Sequence, residues 1–204
     1  GHLSLARQAK NDCDISIMSI FVNPLQFGPA EDFKKYPRNL SRDKILAQKA
    51  GTDYIFCPSY KEMYPDRFLT YVNVEKVTDT LCGASRPGHF RGVATVVAKI
   101  FNIVQPDIAY FGQKDAQQAV VIKKMAQDLN FPLKIKVMPI IREVDGLAMS
   151  SRNKYLSPKE RKDALVLSRA LSQAKKLIKI GQKNSEKIRS IMRKMINNIP
   201  SAKI

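Results

Sequence analysis

The chain has 204 residues, 44% of them hydrophobic, which allows one domain of ordinary size plus a smaller one. No run approaches the ~18 apolar residues of a membrane span, and no charged segment followed by an apolar one marks a secretory leader. Cys13, Cys57 and Cys82 are odd in number and widely spaced. That argues against a disulfide framework or a cysteine metal motif and suits a reducing cytoplasm. The net charge of +17 is uneven: residues 151–204 hold 15 Lys and Arg against three acids, the first 150 hold 20 against 15. Such an excess fits nucleic acid, an anionic membrane, anionic substrates or plain solvated helix faces. Here it lies on segments also rich in Leu, Ile and Met, which favours solvated faces.

Ile15 to Val22 is a short apolar run with β-branched residues and reads as a buried strand of a parallel sheet, ended by Asn23-Pro24. A loop runs to about Asn39. Ser41 to Ala50 has helical spacing, and Gly51 suits its C-cap. Thr52 to Cys57 is a second strand, stopped by Pro58, and Leu69 to Val74 reads as extended. Gly92 to Val104 repeats apolar residues at helical spacing until Gln105-Pro106. Ile108 to Phe111 is a buried strand, Lys114 to Leu129 an amphipathic helix, and Leu133 to Ile141 a further strand. Ser157-Pro158-Lys159-Glu160 opens a long helix with a Ser N-cap, Pro at the first position and an acid in the first turn. Gly181 ends it, and Asn184 or Ser185 caps another. Strands alternating with helices predict an α/β fold with a parallel sheet and right-handed crossovers.

Ligands of open α/β sheets bind beyond the carboxyl ends of the strands. Asn23 and Gln26 follow the first strand, and Gly112, Lys114, Asp115 and Gln118 follow Ile108–Phe111. Arg142, Ser150, Ser151 and Arg152 follow the last strand. Apart from Asp115 these residues are neutral or cationic, as a nucleotide site requires: cations and hydroxyls meet phosphate, and a carboxylate accepts from ribose. In the plainer alternative, Asp115 is a first-turn acid and Lys114 and the glutamines are solvated surface. The coincidence of three strand ends favours the site.

Long stretches in a fixed order carry a resemblance: SIFVNPLQF (Ser19–Phe27), YPRN (Tyr36–Asn39), ASRPGHFRGV (Ala84–Val93), VQPDIAYFGQKDAQQ (Val104–Gln118) and REVDGLAMSSRNKYL (Arg142–Leu156). They resemble the pantoate–β-alanine ligase family, within the nucleotidyltransferase superfamily. The resemblance implies a Rossmann-like, doubly wound domain over residues 1–155 and a smaller, mostly helical C-terminal domain over 156–204. It implies condensation of ATP, (R)-pantoate and β-alanine to pantothenate, AMP and pyrophosphate through a pantoyl-adenylate. It also implies magnesium, a homodimer, a cytoplasmic setting, and neither membrane nor nucleic acid as partner. Gly1-His2 look like the end of a His-x-Gly-His motif, with His2 the acid on the triphosphate. Gly112, Gln113, Lys114 and Asp115 resemble the ATP-binding tetrad, with Lys114 near phosphate and Asp115 on ribose. Ile141 resembles the adenine contact, and Met149, Ser150, Ser151 and Arg152 the mobile phosphate loop. Gln26 and Gln118 resemble the two pantoate glutamines, with Gln26 also bordering β-alanine and Asn23 in the same wall. His2, Lys114 and Arg152 are the expected catalytic residues.

Two departures stand out: Gln113 where many members have Glu, and Ala116 where they have an aromatic. Activity is expected to survive both. The chain opens at the last two residues of the histidine motif, so a piece of a longer protein is expected, with strand edges exposed and activity poor in a chain of this extent. His89, Arg86 and Arg91 in RPGHFRG remain open between lining the phosphate side and ordering a loop. Other readings are a different nucleotidyltransferase, or a fragment whose basic 157–204 segment binds nucleic acid. Against the latter, Tyr155 is the one aromatic after Phe131, which leaves no stacking platform.

Overall fold

Helix α1 (His2–Asp12) leads into strand β1 (Ile17–Ser19), then α2 (Leu40–Lys49) crosses to β2 (Tyr54–Phe56). Two short helices follow, α3 (Tyr60–Met63) and α4 (Cys82–Ser85), then the long α5 (His89–Val104). Strand β3 (Ile108–Gly112), α6 (Ala116–Asp128) and β4 (Lys134–Met138) repeat the crossover. Both strand pairs are parallel: Ile17 faces Tyr54 in the first, and Ile108 to Gly112 face Lys134 to Met138 in the second. Parallel neighbours need such helical crossovers, so this is the α/β class the sequence predicts. The computed structural model describes every residue except Lys203. It divides into two compact units, Gly1–Ile140 and Ile141–Ile204.

The core of the first unit forms where α5 meets α6. Phe90, Val93, Ala94, Ala98 and Phe101 pack with Val121, Ile122, Met125 and Ala126, and Ala109, Phe111 and Ile135 of β3 and β4 close it. A smaller cluster joins Met63, Tyr64 and Val96. These apolar faces orient α5 and α6 so that their N-terminal ends carry the polar residues discussed below.

Several expectations need correction. The strand read over Ile15–Val22 shrinks to Ile17–Ser19, and it is not buried: Ile17 is 44% exposed. Its register with β2 continues for one more bond, from Ile20 N to Phe56 O at 2.9 Å, before Pro24 turns the chain. Leu69–Val74 forms no strand. Its backbone is tied at Val72 N to the Thr95 hydroxyl at 3.0 Å instead of to a neighbouring strand. The helix expected from Lys114 begins two residues later. Gln113–Asp115 is a separate 3-10 turn. The sequence reading also passed over α1, α3 and α4.

Helix α1 matters because His2 stands at its first turn. Lys10 on this helix holds Asp53 with contacts of 2.9 and 3.0 Å, and Asp53 also accepts from Ser16 N and Oγ, both at 2.8 Å. The Lys10 bond, then those of Ser16, lower the Asp53 carboxyl to a pKa of about 2. A depressed carboxylate stabilises the fold above its ordinary value of 3.8, and that contribution is lost as pH falls toward 2. Asp53→Asn is therefore expected to lower the melting temperature at pH 7 and to flatten its fall between about pH 4 and 2. Thermal melts of both proteins across that range measure it, and parallel acid slopes would contradict it.

The second unit starts with a hairpin closed by an antiparallel bridge from Arg142 to Ala148, turning at Gly146. A 3-10 turn, Ser151–Tyr155, precedes α7 (Pro158–Lys179). The predicted start of α7 is observed: Ser157 Oγ accepts from Glu160 N at 3.3 Å, and Glu160 accepts from Ser157 N at 2.8 Å. Helix α8 (Ser185–Asn197), capped by Asn184, packs against α7. No helix among the described residues is long and apolar enough to cross a membrane.

Candidate active site

Gln26 closes a 3-10 turn, Pro24–Gln26, beyond the carboxyl end of β1. Asn23 caps that turn, its Oδ1 accepting from Leu25 N at 3.2 Å and from the Tyr64 hydroxyl at 2.9 Å. Its Nδ2 donates to the Gly92 carbonyl at 3.0 Å and reaches Gln26 Oε1 at 3.5 Å. Asn23 is 1% exposed, so its amide is committed to scaffold. Asn23 is thus buried beside Gln26, which is half-buried. A Cβ on Gly92 would lie 2.3 Å from the Leu25 carbonyl oxygen. The glycine thus lets α5 lie directly against the turn.

The open question of RPGHFRG resolves here. His89 Nδ1 lies 2.8 Å from the Gln26 carbonyl, and its Nε2 lies 3.1 Å from Arg86 Nη1. Arg86 grips Glu31 with two bonds, of 2.7 and 2.5 Å. Arg86, more than burial opposes it, keeps the Glu31 carboxyl below its ordinary pKa. Arg91 belongs elsewhere, its guanidinium stacked 4.0 Å from the Tyr71 ring centroid.

At the end of β3, Gly112 leads into the 3-10 turn that holds Gln113, Lys114 and Asp115. Asp115 occupies the N-cap position of α6 but makes no side-chain cap bond. Its carboxylate accepts from Lys114 Nζ at 2.9 Å instead. The pair is exposed, so its own contribution to stability is small. Both groups stand at the strand end rather than serving the helix. Gly112 is informative too. Its φ of −85° suits any residue, and an added Cβ would meet nothing within 4 Å. The chain's own packing does not call for glycine there. Gly112→Ala is expected to keep its melting temperature while raising about tenfold the KM of the nucleotide that the sequence leads one to expect at this strand end. Steady-state kinetics and a thermal melt measure both, and an unchanged KM would contradict it.

The two adjacent glutamines differ. Gln117 donates to the Val77 and Thr80 carbonyls at 3.1 and 2.7 Å and accepts from Cys82 N at 3.0 Å. It holds the 77–82 segment. Gln118 is half-buried, and its side chain forms no hydrogen bond among the described residues. Its amide is open to a ligand.

Charge links these groups. Desolvation lowers the His2 pKa below 6.5, although its surface is still reached by solvent; Lys114 pushes the same way, and Asp115 and Asp43 oppose. His89 is also lowered, chiefly by burial, with the Gln26 carbonyl, Glu31 and Asp115 opposing. The Asp115 carboxylate acts on both imidazoles. Both imidazoles are thus within electrostatic reach of Asp115.

Ile141, Met149, Ser150, Ser151 and Arg152 lie in the second unit. The Ile141 carbonyl accepts from Met149 N at 2.9 Å, and Ser150 Oγ accepts from Arg152 N at 3.2 Å. Asn153 Nδ2 donates to Glu143 Oε1 at 2.9 Å and to the Ala148 carbonyl at 3.1 Å. Arg161 on α7 donates to Glu143 at 2.6 Å and to Asp145 at 2.8 Å. Arg161 and Asn153 thus join hairpin, turn and helix into one piece. Arg161 holds the Glu143 carboxyl below its ordinary range, and the Leu147 N–H does the same for Asp145 with Arg161 adding. The sequence reading did not single out Glu143, Asn153 or Arg161. The charges flanking Asp145-Gly146 were the available signal.

A model of the pantoate-beta-alanine ligase family matches residues 1–204. The chain belongs to the pantoate–β-alanine ligase family. Among its curated relatives, a pantothenate synthetase of Heliobacterium modesticaldum is 59% identical over 204 residues, spanning all of this chain and 73% of its own length. One from Caldicellulosiruptor saccharolyticus is 63% identical over 196 residues, 96% of this chain and 70% of its own. The crystal structure of pantothenate synthetase from Thermus thermophilus superposes with a TM-score of 0.95 at 49% identity, over 98% of this chain and 72% of that one. A family member from Francisella tularensis, solved with beta-gamma ATP and beta-alanine, gives 0.79 at 36% identity, over 96% and 73%. The Rossmann-like, α/β fold that the sequence resemblance implies is the fold of these neighbours.

Proposed function

We propose that this family member condenses (R)-pantoate with β-alanine at the expense of ATP, releasing AMP and pyrophosphate, as a step of coenzyme A biosynthesis. What carries the reading is a chain-long match, 59% identical over 204 residues to a pantothenate synthetase. It falls on a chain whose strand ends carry, apart from Asp115, neutral and cationic groups.

A carboxylate is a poor electrophile toward an amine, so pantoate must be activated. Its carboxylate oxygen attacks the α-phosphorus of ATP, the bond to the pyrophosphate oxygen breaks, and a pantoyl-adenylate results. The β-alanine amine then attacks the acyl carbon, loses a proton, and AMP leaves. No covalent enzyme intermediate is needed, so positioning and charge stabilisation supply the catalysis. Gln26 and Gln118 hold pantoate through neutral amides, which bind its oxygens without trapping the nucleophile, and Gln26 borders β-alanine. Gly112 and Gln113 pass the nucleotide along the backbone, Asp115 accepts from ribose, and Lys114 meets phosphate. His2 donates an N–H to the triphosphate. Within the second unit, Ile141 is assigned to adenine through its backbone, and Met149, Ser150, Ser151 and Arg152 to phosphate.

Among the described residues no three His, Cys, Asp or Glu side chains cluster as a cation site. A magnesium ion would be held by the triphosphate rather than by these side chains, with the cationic and neutral donors meeting the remaining phosphate oxygens, and it would supply charge neutralisation for the leaving pyrophosphate. The same reading carries a homodimer, tested by sedimentation velocity, and a cytoplasmic setting that suits three free cysteines.

The test is AMP release from ATP. It is expected to require pantoate and β-alanine together. AMP or pyrophosphate release that ignores β-alanine and responds to a phosphorylated co-substrate would favour another nucleotidyltransferase.

A further inference from the structure

We propose that His89 is a positioning residue for pantoate: fixed by Arg86 as the Nδ1–H tautomer, it donates to the Gln26 carbonyl and thereby sets where the Gln26 side chain stands. This rests on the reading of Gln26 as a pantoate ligand.

The tautomer follows from donors and acceptors. A guanidinium has no acceptor, so Arg86 Nη1, 3.1 Å away, donates to a lone pair on His89 Nε2. The ring proton then sits on Nδ1, which faces the Gln26 carbonyl at 2.8 Å. A carbonyl can only accept, so both contacts are satisfied by one form of the ring. Arg86 cannot turn away without cost, because its Nε and Nη2 are both committed to Glu31. Its Nη2 also lies 3.4 Å from the same Gln26 carbonyl. Glu31 is fixed in turn by its N–H on the Gly28 carbonyl at 3.0 Å.

The rest of the turn is held differently. Asn23 and Gly92 pin Pro24 and Leu25 from beneath, whereas the last residue keeps one long backbone bond, Gln26 N to Asn23 O at 3.4 Å. His89 supplies the short contact that Gln26 otherwise lacks. Gly88, with φ +81°, makes the turn that sets His89 at the first position of α5. The ring packs on Phe90, with 4.9 Å between centroids. His89 is therefore built into the helix end and reaches substrate through Gln26.

Two measurements test this. The chain holds two histidines, so ¹⁵N imidazole spectra are assigned with one variant, H89N. Near pH 7 His89 is expected as a single Nδ1–H tautomer; an Nε2–H form or an equal mixture overturns the proposal. In kinetics, H89L is expected to raise KM for pantoate about tenfold with KM for ATP unchanged, and H89N, whose amide can reach the same carbonyl, to raise it less. In a Q26A background H89L should add less than about twofold, since coupled residues are non-additive. A KM effect undiminished by Q26A, or an equal rise for ATP, overturns the positioning role and leaves the ligase reading intact. Loss of pantoate dependence in the wild type would instead overturn the ligase reading and the proposal with it. If H89L does not fold, the cycle is run with H89N and Q26A, with the same outcomes.

Discussion

Lys114→Met is expected to lower the rate of AMP formation about 10²–10³-fold while the melting temperature holds. The side chain is 39% exposed and, among the described residues, makes its one salt bridge to its neighbour Asp115, so its removal opens no cavity. What is lost is a cation at the end of β3, held by Asp115, which the proposed function assigns to phosphate. A preorganised charge acts on the transition state more than on the bound substrate, so kcat falls more than KM for ATP rises. Lys114→Arg keeps the charge but not the compact ammonium, and its rate should fall between the two. Stopped-flow or quenched single-turnover assays of adenylate formation separate this step from the later amine attack. A loss below about tenfold in that step would remove Lys114 from the phosphate site.

His2→Asn is expected to slow adenylate formation on the order of 10²-fold and to abolish a proton uptake that accompanies ATP binding. Desolvation, aided by Lys114, keeps the free imidazole pKa below 6.5. The ring is therefore neutral at pH 7 before the nucleotide arrives. An anionic triphosphate beside it favours the charged form and raises the pKa. Between the two values the complex holds more protons than the free protein, so ATP binds more tightly as pH falls through that window. Calorimetry in buffers of different ionisation enthalpy counts the protons. Equal uptake by wild type and His2→Asn would show that the protons go elsewhere.

Local polarity made part of this site readable. Gly112, Lys114, Asp115 and Gln118 follow an apolar strand directly, so a strand end rich in polar residues was visible without a structure. The Ser157–Glu160 start of α7 was equally visible, because a capping box is a four-residue feature. What escaped was set by distance along the chain. Arg86 meets Glu31 across 55 residues and His89 meets Gln26 across 63, and no local pattern announces such pairs. Burial was the other blind spot. Asn23 and Gln26 look alike in sequence, yet Asn23 is buried and committed to Tyr64 and Gly92, while Gln26 is half-buried with one long side-chain contact to Asn23. Gln117 and Gln118 repeat the lesson, since helical rotation alone sends one to the 77–82 segment and leaves the other open. The start of α6 was placed two residues early because Lys114 and Asp115 resemble a first helical turn, while in the fold Gln113–Asp115 is a separate 3-10 turn and Asp115 stands at the N-cap position, its carboxylate on Lys114.

The central claim is that a pantoate oxygen attacks the α-phosphorus. Pantoate labelled with ¹⁸O in its carboxylate tests it most directly, with AMP and pyrophosphate read by mass spectrometry after turnover with β-alanine. One ¹⁸O is expected in each AMP and none in pyrophosphate. Unlabelled AMP, or label in any other phosphorus-containing product, would contradict the pantoyl-adenylate route.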